Sequence, residues 1–217
     1  MLSPTALSIA CLALVAALLV ADHLGKPVGR IAAKVGASSC FVLLALSAGA
    51  AGSTYGRFVL GALVLSWAGD VLLLSPKPAY FMAGLGSFLV AHVLFAAAFL
   101  SGPFSAGAAA IAFMAVLAFG SGVLRWLLPS TPSEFKAPVL AYVVVILAMC
   151  IAAASHSAAT GRWAVLAGTV VFAASDLSVA RDRFVRPGYV NRLWGWPAYY
   201  AAQVLLAWSA AAGASDA

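Results

Sequence analysis

Charged residues are scarce in this chain. Lysine, arginine, aspartate and glutamate make up 8% of the 217 residues, whereas 65% are hydrophobic. A soluble domain of this size cannot keep so apolar a surface in water, so the composition predicts a protein that lies in lipid. A spanning helix needs roughly 20 mostly apolar residues, which leaves room for about eight spans and for no separate soluble domain.

Cysteine is also sparse, and no metal-binding pattern accompanies it. Cys11, Cys40 and Cys150 fall in apolar stretches and lack metal-ligand spacing, so we interpret them as small core residues. The sequence contains no HExxH, CxxC or GxSxG pattern. We therefore expect neither a metal site nor a cofactor.

Apolar windows separated by proline, glycine and polar residues predict an all-α, polytopic transmembrane bundle that forms one domain over residues 1–217. The eight predicted spans lie near residues 3–21, 32–51, 57–74, 80–100, 105–127, 137–156, 162–180 and 193–212. The break between the fifth and sixth spans is assigned to the segment from Pro129 through Pro138, because proline lacks an N–H and stops a helix.

The basic residues are distributed unevenly between the predicted connections. The net charge is +6, but these residues fall between apolar stretches, which favours a role in membrane orientation and excludes nucleic acid as a partner. Alternate connections hold ten of them: Lys26, Arg30, Lys34, Lys77, Arg125, Lys136, Arg181, Arg183, Arg186 and Arg192. The other connections hold Arg57 and Arg162. Positive charge is retained in the cytoplasm, so this asymmetry predicts that both termini lie outside.

Two carboxylates fall inside predicted spans, where an unpaired charge costs several kcal/mol. Asp70 and Asp176 each lie four or five residues before the predicted cytoplasmic end of a span, so they can share one level in the membrane. Each could instead pair with a nearby arginine, as we expect for Asp182 between Arg181 and Arg183. We predict that Asp70 and Asp176 form the functional site.

Other polar residues reach the same half of the membrane. The eighth span carries Tyr199, Tyr200 and Gln203, and the second span begins near Lys34, which could hold a phosphate or a carboxylate or extend to the interface. His92 lies near the middle of the fourth span, where it could bond a neighbouring helix or close the bottom of a cavity.

Four ordered motifs resemble the YhhN family of bacterial membrane proteins, which also contains the animal lysoplasmalogenases. The motifs are Gly69-Asp70, Gly86-Ser87-Phe88 through His92, Ser175-Asp176 through Phe184, and Tyr199-Tyr200-Ala201-Ala202-Gln203. The resemblance runs from about the second span to the eighth. Lys34 matches the position of a lysine that is followed by proline in the family, whereas Val35 follows it in this sequence. The resemblance implies an eight-span protein, which we expect in the bacterial inner membrane.

The resemblance also implies an activity, which is hydrolysis of the vinyl ether bond of a lysoplasmalogen, a lysophospholipid. The products are a fatty aldehyde and glycerophosphoethanolamine or glycerophosphocholine. Protonation of the vinyl β-carbon gives an oxocarbenium ion that water captures. We hypothesise that Asp70 and Asp176 divide this work, one as the acid and the other as an ionised carboxylate that supports the cation. Tyr199, Tyr200, Gln203, His92 and Lys34 are the expected substrate-binding residues, and either Lys34 or a loop arginine would hold the phosphate.

Two other classes of function compete with this interpretation. A small transporter could use the same aspartates to carry protons or a cation, although the sequence shows no internal repeat. A non-catalytic scaffold would leave both aspartates without a role. Membrane lipids are the expected surroundings, and a homo-oligomer is left open.

Overall fold

A computed structural model describes residues 3–211, and within that range the chain forms eight α-helices and no strand. The helices are α1 Pro4–His23, α2 Pro27–Ser47, α3 Thr54–Leu72, α4 Pro78–Leu100, α5 Ala106–Leu127, α6 Ser133–Thr160, α7 Trp163–Ala180 and α8 Tyr189–Ser209. The all-helical prediction is confirmed. Ala212, the last residue of the predicted eighth span, lies outside the described range.

Local sequence explains where the helices begin and end. Proline is the first residue of α1, α2 and α4, a position whose N–H has no partner within the helix. Ser53 caps α3 by accepting a hydrogen bond from the backbone N–H of Gly56. Gly161 ends α6 with a left-handed backbone (φ 74°), a conformation that glycine adopts without a steric penalty.

Three helices differ from the predicted spans. α2 begins at Pro27 rather than near residue 32, α6 covers Ser133–Thr160 rather than 137–156, and α8 begins at Tyr189 rather than near 193. Apolar windows detect only the lipid-facing length of a helix, whereas polar turns continue it beyond the hydrocarbon. Pro138 was expected in a break, and it lies instead near the start of α6, where a missing N–H costs only one helical hydrogen bond.

Seven of the eight helices in the described range are long and apolar enough to cross a membrane. The eighth helix, α8, is not among them, because it carries the polar residues whose side chains turn inward: Asn191, Tyr199, Tyr200 and Gln203 are all buried. Within residues 3–211, eight helices thus correspond to the eight predicted spans, and seven of these helices are apolar enough to be candidate spans.

The helices pack as neighbouring pairs, α1 with α2, α3 with α4, and α7 with α8. Glycine allows close approach in the last pair, since a methyl group at Gly195 of α8 would overlap the Ser178 side chain of α7. α5 differs from the others: it packs chiefly on α6 and buries only Gly120 and Leu127. One side of the bundle is therefore loosely closed.

Candidate active site

A cavity of about 130 Å³ is lined by residues of α2 through α8. Asp70 and Asp176 both line it, together with Lys34, Tyr142, Trp196 and Tyr199. The rest of its wall is mostly apolar and includes Leu73, Phe81, Leu85, Phe88, Phe119, Val123, Leu127, Val139, Val143, Ile146 and Leu147. The cavity combines a lipid-like lining with two acidic groups.

Asp70, near the end of α3, is surrounded by donors. Its Oδ1 is 3.2 Å from the Nζ of Lys34, and its Oδ2 accepts hydrogen bonds of 2.7 Å from both the Ser38 hydroxyl and the Tyr199 hydroxyl. All four side chains are buried. Asp70 is thus a buried carboxyl group whose oxygens contact one lysine and two hydroxyl donors.

Tyr200 lies behind this network rather than on the cavity wall. Its hydroxyl is 3.0 Å from the Ser38 hydroxyl and 3.3 Å from the backbone carbonyl of Lys34. Ser38 uses its one proton for Asp70, so Tyr200 donates either to the Ser38 oxygen or to that carbonyl. Tyr200 thereby orients the donors of Asp70.

Asp176, on α7, has different partners. Its Oδ2 accepts a 3.0 Å hydrogen bond from the Tyr142 hydroxyl and lies 3.5 Å from the Nε2 of His92. The other ring nitrogen of His92, Nδ1, is 2.6 Å from the backbone carbonyl of Phe88. Asp176 therefore faces a histidine where Asp70 faces a lysine.

The hydrogen bond of His92 identifies which of its ring nitrogens carries a proton. A carbonyl oxygen can only accept, so Nδ1 carries a proton and donates it to Phe88. The other ring nitrogen, Nε2, lies 3.5 Å from the Asp176 Oδ2 and has no hydrogen-bond partner among residues 3–211. His92 and Asp176 are therefore close enough to form an ion pair when the ring is protonated.

An aromatic wall connects the two carboxylate networks. The Phe172 ring is 4.6 Å from the His92 ring and 5.4 Å from the Tyr199 ring, centroid to centroid. Phe88 packs edge-on to both Phe172 and Tyr199. The Phe88 ring also occupies the space that a side chain at position 69 would need, which explains why glycine precedes Asp70. Rigid aromatic packing fixes the positions of both acids.

The structure separates the predicted site residues into two groups. Asp70, Asp176, Lys34 and Tyr199 line the cavity, whereas His92, Tyr200 and Gln203 do not. Gln203 is fully buried one turn beyond Tyr199, and no hydrogen-bond partner for its amide lies among residues 3–211. His92 contacts the site through Asp176, and Tyr200 contacts it through Ser38.

Three residues of the site were not predicted. Ser38 follows Lys34 by one helical turn, a spacing that could have indicated a polar face on α2. Tyr142 and Trp196 gave no such signal, because aromatic residues in apolar helices are usually packing residues or interfacial anchors. Within residues 3–211, no three histidine, cysteine, aspartate or glutamate side chains are grouped closely enough to hold a metal ion.

The fold and the cavity define a class: an integral membrane protein with a pair of acidic residues at one buried cavity. The chain belongs to the YhhN family, whose sequence profile matches residues 29–210. The family resemblance inferred from the four motifs is thereby confirmed.

Curated relatives carry a consistent name. Lysoplasmalogenase TMEM86B of Homo sapiens is 33% identical over 156 residues, covering 72% of this chain and 64% of that protein. Lysoplasmalogenase TMEM86A of Bos taurus is 36% identical, covering 68% and 62%, and lysoplasmalogenase of Mycobacterium tuberculosis (strain CDC 1551 / Oshkosh) is 35% identical, covering 69% and 59%. The match thus spans about three fifths of the length of these relatives. No solved structure matches the chain.

Proposed function

We propose that this protein is a lysoplasmalogenase-like hydrolase that cleaves the vinyl ether bond of a lysoplasmalogen. The observation that carries the proposal is that Asp70 and Asp176 line one apolar cavity, each with a different set of partners. The family membership and the names of the relatives support the substrate class.

The chain crosses the bilayer eight times in this proposal, with α8 as the eighth span and both termini outside, in a bacterial inner membrane. α8 tolerates its polar residues because they face the bundle interior. The ten-to-two distribution of basic residues then places the cavity in the cytoplasmic half.

The loose packing of α5 supports a single-chain lipid as the substrate. Phe119 and Val123 of α5 line the cavity together with Ala173 and Leu177 of α7, although α5 packs chiefly on α6. An alkenyl chain that lies between α5 and α7 keeps its apolar surface among side chains and lipid. The vinyl ether then reaches the carboxylates without the chain leaving the membrane.

The two networks suggest how the acids divide the reaction. Asp176 and His92 hold the transferable proton, and Asp176 gives it to the vinyl β-carbon, which creates an oxocarbenium ion. Asp70, kept ionised by Lys34, Ser38 and Tyr199, faces the same cavity as a negative charge that supports the cation. Water adds to the α-carbon and returns a proton to the Asp176 carboxylate. The resulting hemiacetal breaks down to the fatty aldehyde and glycerophosphoethanolamine or glycerophosphocholine.

The test is release of fatty aldehyde from lysoplasmalogen by detergent-purified protein, with choline and ethanolamine substrates. Wild type is expected to turn over, Asp176→Asn is expected to be inactive, and Glu134→Gln is the matched control because Glu134 is exposed in the first turn of α6. A wild type that releases no aldehyde from either substrate contradicts the proposal.

A proton-coupled transporter is the second candidate, and the contact between His92 and Asp176 favours it specifically, because a histidine and a carboxylate inside a membrane protein can pass a proton. Reconstitution in liposomes with a pH-sensitive dye separates the two. Proton flux lost in Asp176→Asn, without aldehyde release by wild type, would support transport over hydrolysis.

A further inference from the structure

Three phenylalanines form a cluster at one end of the cavity. The ring centroids of Phe81, Phe135 and Phe184 are 5.8, 6.0 and 5.7 Å apart, and Phe81 and Phe184 line the cavity itself. This phenylalanine cluster is built from the first turns of α4 and α6 and from the segment after α7. These segments adjoin connections that carry the majority of the basic residues.

Arg183 lies over the phenylalanine cluster. The Cζ of its guanidinium is 4.4 Å from the Phe81 ring centroid and 6.0 Å from that of Phe135. Stacking on aromatic rings holds a guanidinium in place and leaves its N–H donors directed outward. Arg183 is thus a fixed cation at the end of an apolar cavity.

The other charged groups near Arg183 are already engaged. Arg181 donates to the Asn191 side chain, and the Asp182 carboxylate accepts from the Asn191 amide and from the backbone N–H of Gly188. In the described part of the chain, Arg183 forms no ion pair with a carboxylate. Its donors are available for an anion from outside the protein.

A π-helical turn produces this arrangement. Residues Arg181–Val185 continue α7 as a π-helix, a rare turn with wider hydrogen bonding that is frequent at functional sites. Within this turn Phe184 reaches the cavity wall while the adjacent Arg183 lies over Phe81.

The spacing along α7 agrees with the dimensions of the proposed substrate. Arg183 follows Asp176 by seven residues, which corresponds to about 10 Å along a helix axis. In a lysoplasmalogen, seven bonds join the vinyl β-carbon to the phosphorus, an extended distance of roughly 9 Å at ordinary bond lengths. A substrate with its β-carbon at Asp176 is therefore long enough for its phosphate to reach the level of Arg183 along α7.

We propose that Arg183 binds the phosphate of the lysophospholipid substrate, held over the cavity end by Phe81 and Phe135. The inference rests on the proposed function and adds a headgroup subsite to it. The sequence left Lys34 or a loop arginine as the phosphate ligand, and the structure pairs Lys34 with Asp70. Guanidinium binds phosphate through paired, charge-assisted hydrogen bonds, which gives the site selectivity for a phosphorylated glycerol over a neutral one.

The experiment compares two substrates, lysoplasmalogen with a phosphoethanolamine head and 1-alkenylglycerol without phosphate. For lysoplasmalogen, Arg183→Gln is expected to raise KM about tenfold or more with little change in kcat, and Arg183→Lys to give a smaller rise. For 1-alkenylglycerol, both variants are expected to match wild type. Arg186→Gln is the control, because Arg186 is exposed and only its backbone carbonyl is used, by Asn191.

Two results would overturn the inference: an unchanged KM for lysoplasmalogen in Arg183→Gln, or equal losses on both substrates, which would show a structural role. If wild type releases no aldehyde from either substrate, the proposed function fails separately. Binding of a saturated 1-alkyl lysophospholipid, measured by isothermal titration calorimetry in detergent, then decides whether Arg183 binds the phosphate. A tenfold weaker Kd in Arg183→Gln supports the subsite, and an equal Kd refutes it.

Discussion

The two carboxylates of the cavity differ in what their partners can do with a proton. Asp70 has a lysine and two hydroxyl donors, all of which stabilise its charged form. Asp176 has one hydroxyl donor and a histidine whose second nitrogen is committed to a backbone carbonyl. The comparison shows two chemically identical side chains in different surroundings, since one contacts a lysine and the other a histidine.

The largest expected effect comes from removing the acid that can transfer a proton. Asp176→Asn should lower kcat by about a thousandfold, within the range for loss of a general acid, while the protein remains folded. Aldehyde release and size-exclusion elution in detergent measure the two properties. Activity in Asp176→Asn within tenfold of wild type would mean that another group protonates the substrate.

Removing the ionised carboxylate should instead affect folding and activity together. Asp70→Asn leaves the Lys34 ammonium buried without its counter-charge, which destabilises a protein by about 3 kcal/mol. Thermal unfolding in detergent measures the loss. The double variant Asp70→Asn with Lys34→Met should recover stability and stay inactive; if the single variant unfolds like wild type, the ion pair contributes no stability.

His92 should affect the rate without affecting substrate affinity. His92→Gln removes the imidazole that contacts Asp176 and that we propose to supply its proton, so kcat is expected to fall about tenfold to a hundredfold with KM unchanged. His92 lies outside the cavity wall, which is why substrate binding should not change. Steady-state kinetics separate the two parameters, and a rise in KM alone would assign His92 to the substrate instead.

A pair of tyrosine variants gives the smallest and most closely matched test. Tyr142→Phe removes one hydrogen bond to Asp176, and Tyr199→Phe removes one hydrogen bond to Asp70. Each bond contributes about 1 to 2 kcal/mol. Tyr142→Phe should lower kcat severalfold, whereas Tyr199→Phe should mainly lower the melting temperature. Equal effects of the two variants on kcat would remove the distinction between the carboxylates.

Sequence and structure agree most closely where one physical term dominates. The eight helices lie in the eight predicted segments because lipid requires long apolar runs, and this requirement is visible in composition. The span boundaries and one topology predict that Asp70 and Asp176 lie at the same level in the membrane. In the structure both residues line one cavity. Helix ends were less accurate, since polar residues such as those from Ser133 to Lys136 continue a helix without an apolar signal.

Contacts between helices could not be read from the sequence. Whether Lys34 meets a phosphate, a lipid headgroup or Asp70 depends on how α2 and α3 are rotated against each other. The same rotation brings Tyr142 to Asp176, and the π-helical turn that aims Arg183 at Phe81 has no recognised sequence pattern. Rotation and local winding are decided by packing, which a single sequence does not display.

The central claim is that hydrolysis begins with a proton delivered to the vinyl β-carbon, and carrying out the reaction in D₂O tests it directly. The β-carbon becomes carbon 2 of the released aldehyde, so wild-type protein should yield aldehyde with one deuterium at that carbon, measured by mass spectrometry of the promptly trapped product. Aldehyde without deuterium at carbon 2, or no aldehyde at all, would contradict the account.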